Sequence, residues 1–116
     1  MVETRRWWRY YSTTTGAVPV REFLSALDDG DRDAIRAAMA QVRTEGRVLA
    51  RHLRGHVYEV RVSNGGRAWR VLFSAEGRRH HVLLALSSFE KKSQKTPDRE
   101  LELAEDRLRD WRSRGR

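Results

Sequence analysis

Tyr58, Val60 and Val62 alternate with Glu59 and Arg61, the turn-forming run Ser63-Asn64-Gly65-Gly66 follows, and Trp69, Val71 and Phe73 then alternate with Arg70 and Leu72. Two period-two segments about an Asn-Gly-Gly turn specify an antiparallel hairpin with one apolar face. If Asn64-Gly65 forms the loop, Val62 pairs with Arg67, Val60 with Trp69 and Glu59 with Arg70. Directly paired residues share a face. The core face then holds Tyr58, Val60, Trp69, Val71 and Phe73, and the other holds Glu59, Arg61, Arg70 and Leu72. A Gly65-Gly66 turn or a four-residue loop keeps that parity, whereas a three-residue loop breaks it. Arg61 and Arg70 are therefore expected as near neighbours, with Glu59 opposite Arg70. An ordinary cross-strand ion pair would account for these three residues taken alone.

The remaining elements follow from the same periodicities. Residues 6–11, Arg-Trp-Trp-Arg-Tyr-Tyr, read as a short aromatic strand. Val18-Pro19 opens a short helix ending near Leu27. Asp31 is a candidate cap for a second helix with the stripe Ile35, Ala38, Met39 and Val42, stopped at Gly46. These two helices are expected to pack as a hairpin on the sheet. A turn at Ala75-Glu76-Gly77-Arg78 leads to the strand His81–Leu86, apolar on both faces and so interior. Thr96 is a candidate cap with Pro97 in the first turn of a last helix, whose stripe is Leu101, Ala104, Leu108 and Trp111. The expected class is α+β: an N-terminal strand and helical hairpin on a small antiparallel sheet, with a C-terminal helix. At 116 residues the chain fits one domain, expected over residues 1–112, with 113–116 as a frayed tail.

Charge narrows the partner. Residues 47–95 carry eleven basic side chains against three carboxylates, Glu59, Glu76 and Glu90, and elsewhere the charges cancel, so the whole net charge of +8 lies in this middle segment. Such a footprint suits a polyanion, most often nucleic acid. An anionic membrane fits less well, because the segment reads as strands. Cysteine is absent, which excludes disulfides and thiolate metal sites. The stretch Met1–Trp8 lacks an apolar core of the signal-peptide kind, and no apolar run reaches the roughly 18 residues of a membrane span. The expected location is the cytoplasm.

Within the basic segment lie all three lysines of the chain, Lys91, Lys92 and Lys95, among 24 basic residues that are otherwise arginine. Lysine is a compact charge that can lose its proton when partly desolvated, which arginine cannot do. Three lysines before a helix suggest phosphate handling, against the plainer reading of a solvated basic turn. His80 and His81, adjacent on a strand, face opposite sides and make a poor metal pair. No metal or cofactor is expected. Trp7, Trp8, Tyr10 and Tyr11 are more consistent with packing than with base stacking, and Trp69 and Trp111 fall on core stripes.

Three ordered motifs carry a family resemblance. Leu53-Arg54-Gly55-His56-Val57-Tyr58-Glu59-Val60-Arg61 resembles the L-K-G-x-L-Y-E-L-R segment of HigB-like toxins in the RelE/ParE superfamily. Gly66–Phe73 resembles their G-R-x-Y-R-I-L-Y strand. Phe89-Glu90-Lys91-Lys92-Ser93-Gln94-Lys95-Thr96-Pro97 resembles the F-x-K-K-x-Q-K-T-P signature, and Ala104–Arg107 matches a following A-x-x-R. The resemblance covers roughly residues 47–112 and points to the phage-derived HigB-like branch. It implies two helices packed on an antiparallel sheet. It also implies an endoribonuclease toxin that cuts mRNA in the ribosomal A site and is neutralised by a cognate antitoxin of helix-turn-helix, HigA-like type.

Metal-free RNA cleavage must deprotonate a 2′-hydroxyl, stabilise a pentavalent phosphate and reprotonate the 5′-oxygen. The resemblance implies that Arg61 and Arg70 clamp the phosphate, as planar forks do, and that one of Lys91, Lys92 and Lys95 transfers a proton. Glu59 reads equally as a base or as a partner orienting Arg70. Arg54, His56, Arg67 and Phe89 are the further candidates for contact with RNA. Replacing Arg61, Arg70 or each lysine by Ala is expected to abolish growth inhibition without unfolding the protein. Two other functions remain open: a ParE-like gyrase inhibitor, and a non-catalytic basic nucleic-acid-binding module.

Overall fold

A computed structural model describes residues 5–115. Residues 1–4 of the amino-terminal stretch and Arg116 of the expected tail lie outside the described residues. The architecture is α+β as expected: β1 (Trp7–Tyr10), α1 (Pro19–Ser25), α2 (Asp29–Glu45), β2 (Arg51–Arg54), β3 (Val57–Asn64), β4 (Arg67–Glu76), β5 (Val82–Glu90) and α3 (Asp98–Ser113). One sheet runs in the order β1-β5-β4-β3-β2. It is mixed, because β1 joins β5 in parallel while the other pairings are antiparallel. Period-two alternation fixes which residues share a face but carries no information about strand direction.

The hairpin closes at Gly65-Gly66, with Asn64 opposite Arg67. Both glycines take positive φ, 59° and 80°, as a two-residue hairpin turn of the I′ kind demands. Register is thus displaced by two residues from the Asn64-Gly65 expectation, and the faces are unchanged. Arg61 stands directly opposite Arg70, and Glu59 opposite Leu72 rather than Arg70. The next connection also moves, since β4 continues through Glu76 and the turn occupies Gly77–His81. Helix α2 starts three residues early, after Asp28, and the expected cap Asp31 is buried inside it, accepting a hydrogen bond from Asn64 Nδ2.

Each face of the sheet has its own core. Helices α1 and α2 lay Val20, Leu24, Ile35, Met39 and Val42 on Val60, Trp69, Val71, Phe73, Leu83 and Ala85. Trp8 and Tyr10 pack against the same cluster, and Trp8 donates its indole N–H to the Met39 carbonyl at 2.7 Å. Helix α3 lays Leu101, Ala104, Leu108 and Trp111 on Val57, Leu72, Leu84, Leu86 and Phe89. A bulge between the Leu72–Ser87 and Phe73–Ala85 pairs lets two consecutive residues, Leu86 and Ser87, serve this α3 side. Leu86 joins the core while Ser87 donates to Glu100 on α3 at 2.9 Å. Arg107 of α3 donates to the Leu86 carbonyl at 2.8 Å. Helix α3 itself runs through Ser113, and Arg114 forms an ion pair with Asp110.

Because α3 begins only at Asp98, it covers one half of its face. The other half, at the Glu90 end of β5, is left to residues 91–97, which cross from β5 toward β3. That uncovered half holds Arg61 of β3 and Arg70 of β4.

Candidate active site

The open half of the sheet is a small grid of side chains. Across β2, β3 and β4 one row reads Arg51, Glu59, Leu72, and the next row across β3, β4 and β5 reads Arg61, Arg70, Phe89. Beyond these, Ser63 pairs with Ala68, and their short side chains leave room above the strands. Arg61, Ala68, Arg70, Lys91, Lys92, Ser93 and Gln94 line a cavity of about 460 Å³ there. Lys91 is carried in by the sheet itself: its backbone N–H donates to the Ala68 carbonyl at 2.8 Å, extending the β4–β5 ladder by one bond.

Under this cavity lies a buried charge cluster. Glu59 is 1% exposed and Arg70 6%. Arg70 Nε stands 3.6 Å from Glu59 Oε2, and Arg61 Nε 4.0 Å from Glu59 Oε1. Thr96 donates its hydroxyl to Glu59 Oε2 at 2.6 Å, and Arg70 Nη1 donates to the Trp69 carbonyl at 2.8 Å. Glu59 Oε1 and Arg70 Nε are buried without hydrogen-bond partners. Withdrawal from water pulls the Arg70 guanidinium below its usual range, and the positive charges of Arg61 and Arg51 add to this against the opposing pull of Glu59. Lys91 is shifted down for the same reasons: desolvation first, then Arg70, with Glu59 opposing and Arg61 and Arg51 adding smaller pushes. A lysine lowered in this way is a better proton donor than a free one.

The sequence candidates divide into two groups. Arg61, Arg70, Lys91 and Lys92 meet at the cavity, with Glu59 beneath them. Lys95 is exposed and outside the lining, and its carbonyl accepts a hydrogen bond from Ser93. Arg67 lies on the α1/α2 side of the sheet, stacked 4.5 Å over Trp69 and held by both oxygens of Glu90 at 2.9 Å. Arg54 is held by Glu105 of α3 at 2.7 Å. His56 is exposed in the β2–β3 turn, near enough to Glu76 to act on its charge and so toward the opposite end of β4 from the cavity. Phe89 faces the right way, opposite Arg70, but is buried in the α3 core and offers no open ring.

Four participants were not among the candidate site residues of the sequence. Arg51 adds a positive charge beside Glu59 because β2 pairs with β3, and β2 is hard to see with Leu53 as its one apolar residue. Ser93 and Gln94 line the cavity, and their place inside the lysine run was the available signal. Thr96, read as a helix cap, makes no capping bond: Pro97 holds the cap position of α3, and the Thr96 hydroxyl goes to Glu59. Among the described residues no cluster of three or more His, Asp or Glu could hold a metal ion, and no helix is long and apolar enough to cross a membrane.

Residues 22–109 match the family described as phage-derived protein Gp49-like (DUF891), and the chain belongs to that family. It is a family of RelE/HigB-type toxins of toxin–antitoxin systems, so membership implies an antitoxin partner. No curated protein matches the chain.

Proposed function

From membership of a toxin family, we propose that the protein is a HigB-like, metal-independent endoribonuclease of the cytoplasm that cleaves mRNA in the A site of translating ribosomes. The observation that carries this reading is the direct pairing of Arg61 with Arg70 across β3 and β4, beside a half-buried Lys91 in one open cavity. Like charges placed opposite each other weaken a sheet, and a phosphate between them reverses that penalty. Arg61 and Arg70 hold the non-bridging oxygens as charge grows on the pentavalent phosphorus. The 2′-oxygen attacks phosphorus while its proton leaves to water in the open cavity. The 5′-oxygen departs with a proton from Lys91, leaving a cyclic phosphate and a 5′-hydroxyl end.

Glu59 serves here as the orienting partner of Arg70 rather than as a base. It lies outside the cavity lining and is 1% exposed, so a 2′-hydroxyl has no path to its carboxylate. Lys92, 81% exposed and loosely paired with Glu90 at 4.0 Å, supplies charge for the flanking phosphates. The antitoxin is proposed to be of the helix-turn-helix, HigA-like kind, with an acidic segment able to lie over residues 47–95.

Primer extension on a defined mRNA, with purified protein and with or without translating ribosomes, tests the reading. Codon-phased breaks only in the presence of ribosomes are expected. Breaks on free RNA would make the protein a general ribonuclease using the same basic site. Folded, growth-inhibiting protein that produces no breaks would overturn the endonuclease and favour gyrase inhibition or plain binding.

A further inference from the structure

Residues 91–97 span the open half of the sheet as an arc with two anchors. At its start the Lys91 N–H is bonded to Ala68 of β4 at 2.8 Å. At its end the Thr96 hydroxyl is bonded to Glu59 of β3 at 2.6 Å. Between them Lys92, Ser93, Gln94 and Lys95 are exposed, and the one side-chain hydrogen bond among them, Ser93 to the Lys95 carbonyl, stays inside the arc. We infer that Thr96 is a positioning residue: its hydroxyl, bonded to the buried Glu59 carboxylate, holds the lysine-bearing arc in register over the Arg61–Arg70 pair.

Three observations support this role. The cap position of α3 is held by Pro97, whose side chain has no hydrogen-bonding group, and the Thr96 hydroxyl one residue earlier takes no part in capping the helix. Among the described residues the Thr96 bond is the one hydrogen bond accepted by the Glu59 side chain, whose other oxygen is buried and unpartnered. A buried carboxylate in that state holds strongly to its single donor, because losing it leaves the buried oxygen without a hydrogen bond. Finally, Oε2, the oxygen Thr96 binds, is also the one 3.6 Å from Arg70 Nε. One hydroxyl therefore links the segment that carries Lys91 and Lys92 to the guanidinium that faces them.

The kinetic arm of the test rests on the endonuclease reading, and a second arm does not. Thr96→Val keeps the shape and removes the donor, whereas Thr96→Ser keeps the donor. Single-turnover cleavage on programmed ribosomes should slow by roughly 10- to 100-fold in Thr96→Val, as misplacement by about 1 Å can produce. The ribosome concentration giving half-maximal rate should stay nearly unchanged, and Thr96→Ser should restore most of the rate. Cleavage by Thr96→Val at the wild-type rate, or a Thr96→Ser variant as slow as Thr96→Val, would overturn the inference while leaving the endonuclease in place. If wild-type protein does not cleave, the endonuclease reading fails and amide hydrogen exchange decides alone. Faster exchange at residues 92–95 in Thr96→Val but not in Thr96→Ser supports the anchor, and identical exchange in all three proteins removes it.

Discussion

Arg70→Ala is the obvious test of the cavity, and the structure gives it an effect on stability that must be separated from any effect on chemistry. Arg70 Nε lies 3.6 Å from Glu59 Oε2, with side-chain exposures of 7% and 1%. At an effective dielectric of about 20, that separation corresponds to a gross attraction of about 4–5 kcal/mol. Desolvation offsets much of this in the intact pair, but truncation leaves the carboxylate buried and uncompensated, a change that typically costs about 3–5 kcal/mol. Thr96 still donates to Glu59, and the adjoining cavity admits water once the guanidinium is gone, so the lower end, about 3 kcal/mol, is expected. For a domain of ordinary stability, about 5–15 kcal/mol, this is a large fraction. Urea unfolding followed by circular dichroism measures it in wild type, Arg70→Ala, Glu59→Gln and the double variant. Removing the Glu59 charge should return about 2 kcal/mol to Arg70→Ala, making the double variant more stable than the single one. A loss below about 1 kcal/mol in Arg70→Ala, or single effects that add within about 0.5 kcal/mol, would refute the coupled buried pair. Arg70→Ala is therefore expected to stay folded with a reduced margin, and Arg61→Ala is the cleaner probe. Arg61 is exposed, so its loss should change stability by less than about 1 kcal/mol while still abolishing cleavage.

Three further outcomes are expected. Lys91 is shifted below the ordinary lysine range, so a cleavage rate that depends on its ammonium should fall as pH rises through that lowered pKa. Lys91→Arg should lose the limb, and an unchanged alkaline limb in this variant would exclude Lys91 as the proton donor. Burial alone would raise the Glu76 carboxyl, but hydrogen bonds from Arg112 and Ser74 outweigh it and hold the folded pKa below 4.5. The folded state then gains stability above about pH 4.5 that is lost as pH falls through the depressed value; urea midpoints between pH 6 and pH 3 should decline less steeply in Glu76→Gln, and parallel declines would exclude Glu76. With Arg61, Arg70, Lys91 and Lys92 as four phosphate contacts, binding of single-stranded RNA should weaken with salt at a log–log slope of about −3. Arg61→Ala should shallow that slope by about 0.7, and a slope unmoved by this variant would place the RNA elsewhere on the basic surface.

The faces of the sheet were legible in the sequence because parity survives a shift of register by two. Arg61 and Arg70 were therefore found together even though the turn falls on Gly65-Gly66 rather than Asn64-Gly65. What no periodicity contains is where distant carboxylates arrive. Arg67 and Arg54 are basic residues inside the matched motifs, yet Glu90 and Asp31 hold the first and Glu105 the second. Each partner comes from another element, so only the folded chain separates these arginines from the two at the cavity. Lys95 was inseparable from Lys91 and Lys92 in a run of seven residues, and the turn closed by Ser93 carries it outside the lining. Thr96 had a complete local explanation as a cap, and for that reason its long-range bond to β3 was invisible. Strand β2 escaped because an exposed edge strand needs little apolar alternation, and with it went Arg51.

The arrangement at the cavity also bears on why the site is built over a buried acid. Arg51, Arg61, Arg70 and Lys91 crowd one half of a sheet face, and without a counter-charge their repulsion would work against folding. A solvent-exposed carboxylate would relieve that repulsion but would also compete with phosphate for the same donors. Glu59, 1% exposed beneath the lining, supplies the negative charge from the protein side and keeps the solvent side free for an anion. Its one hydrogen bond comes from Thr96, so the counter-charge and the tether of the lysine arc are the same group. Replacing Glu59 by Gln should then separate two effects that Arg70→Ala confounds. Gln keeps the shape and an acceptor for Thr96 but leaves the buried Arg70 without a counter-charge, so stability should fall while anion affinity at the cavity rises as the opposing charge disappears. Cleavage should nevertheless fall, because an amide orients Arg70 and Thr96 less firmly than a carboxylate. Tighter RNA binding with slower cutting in Glu59→Gln would place Glu59 among the groups that set geometry. Weaker binding and slower cutting together would instead mean that Glu59 shapes the cavity itself.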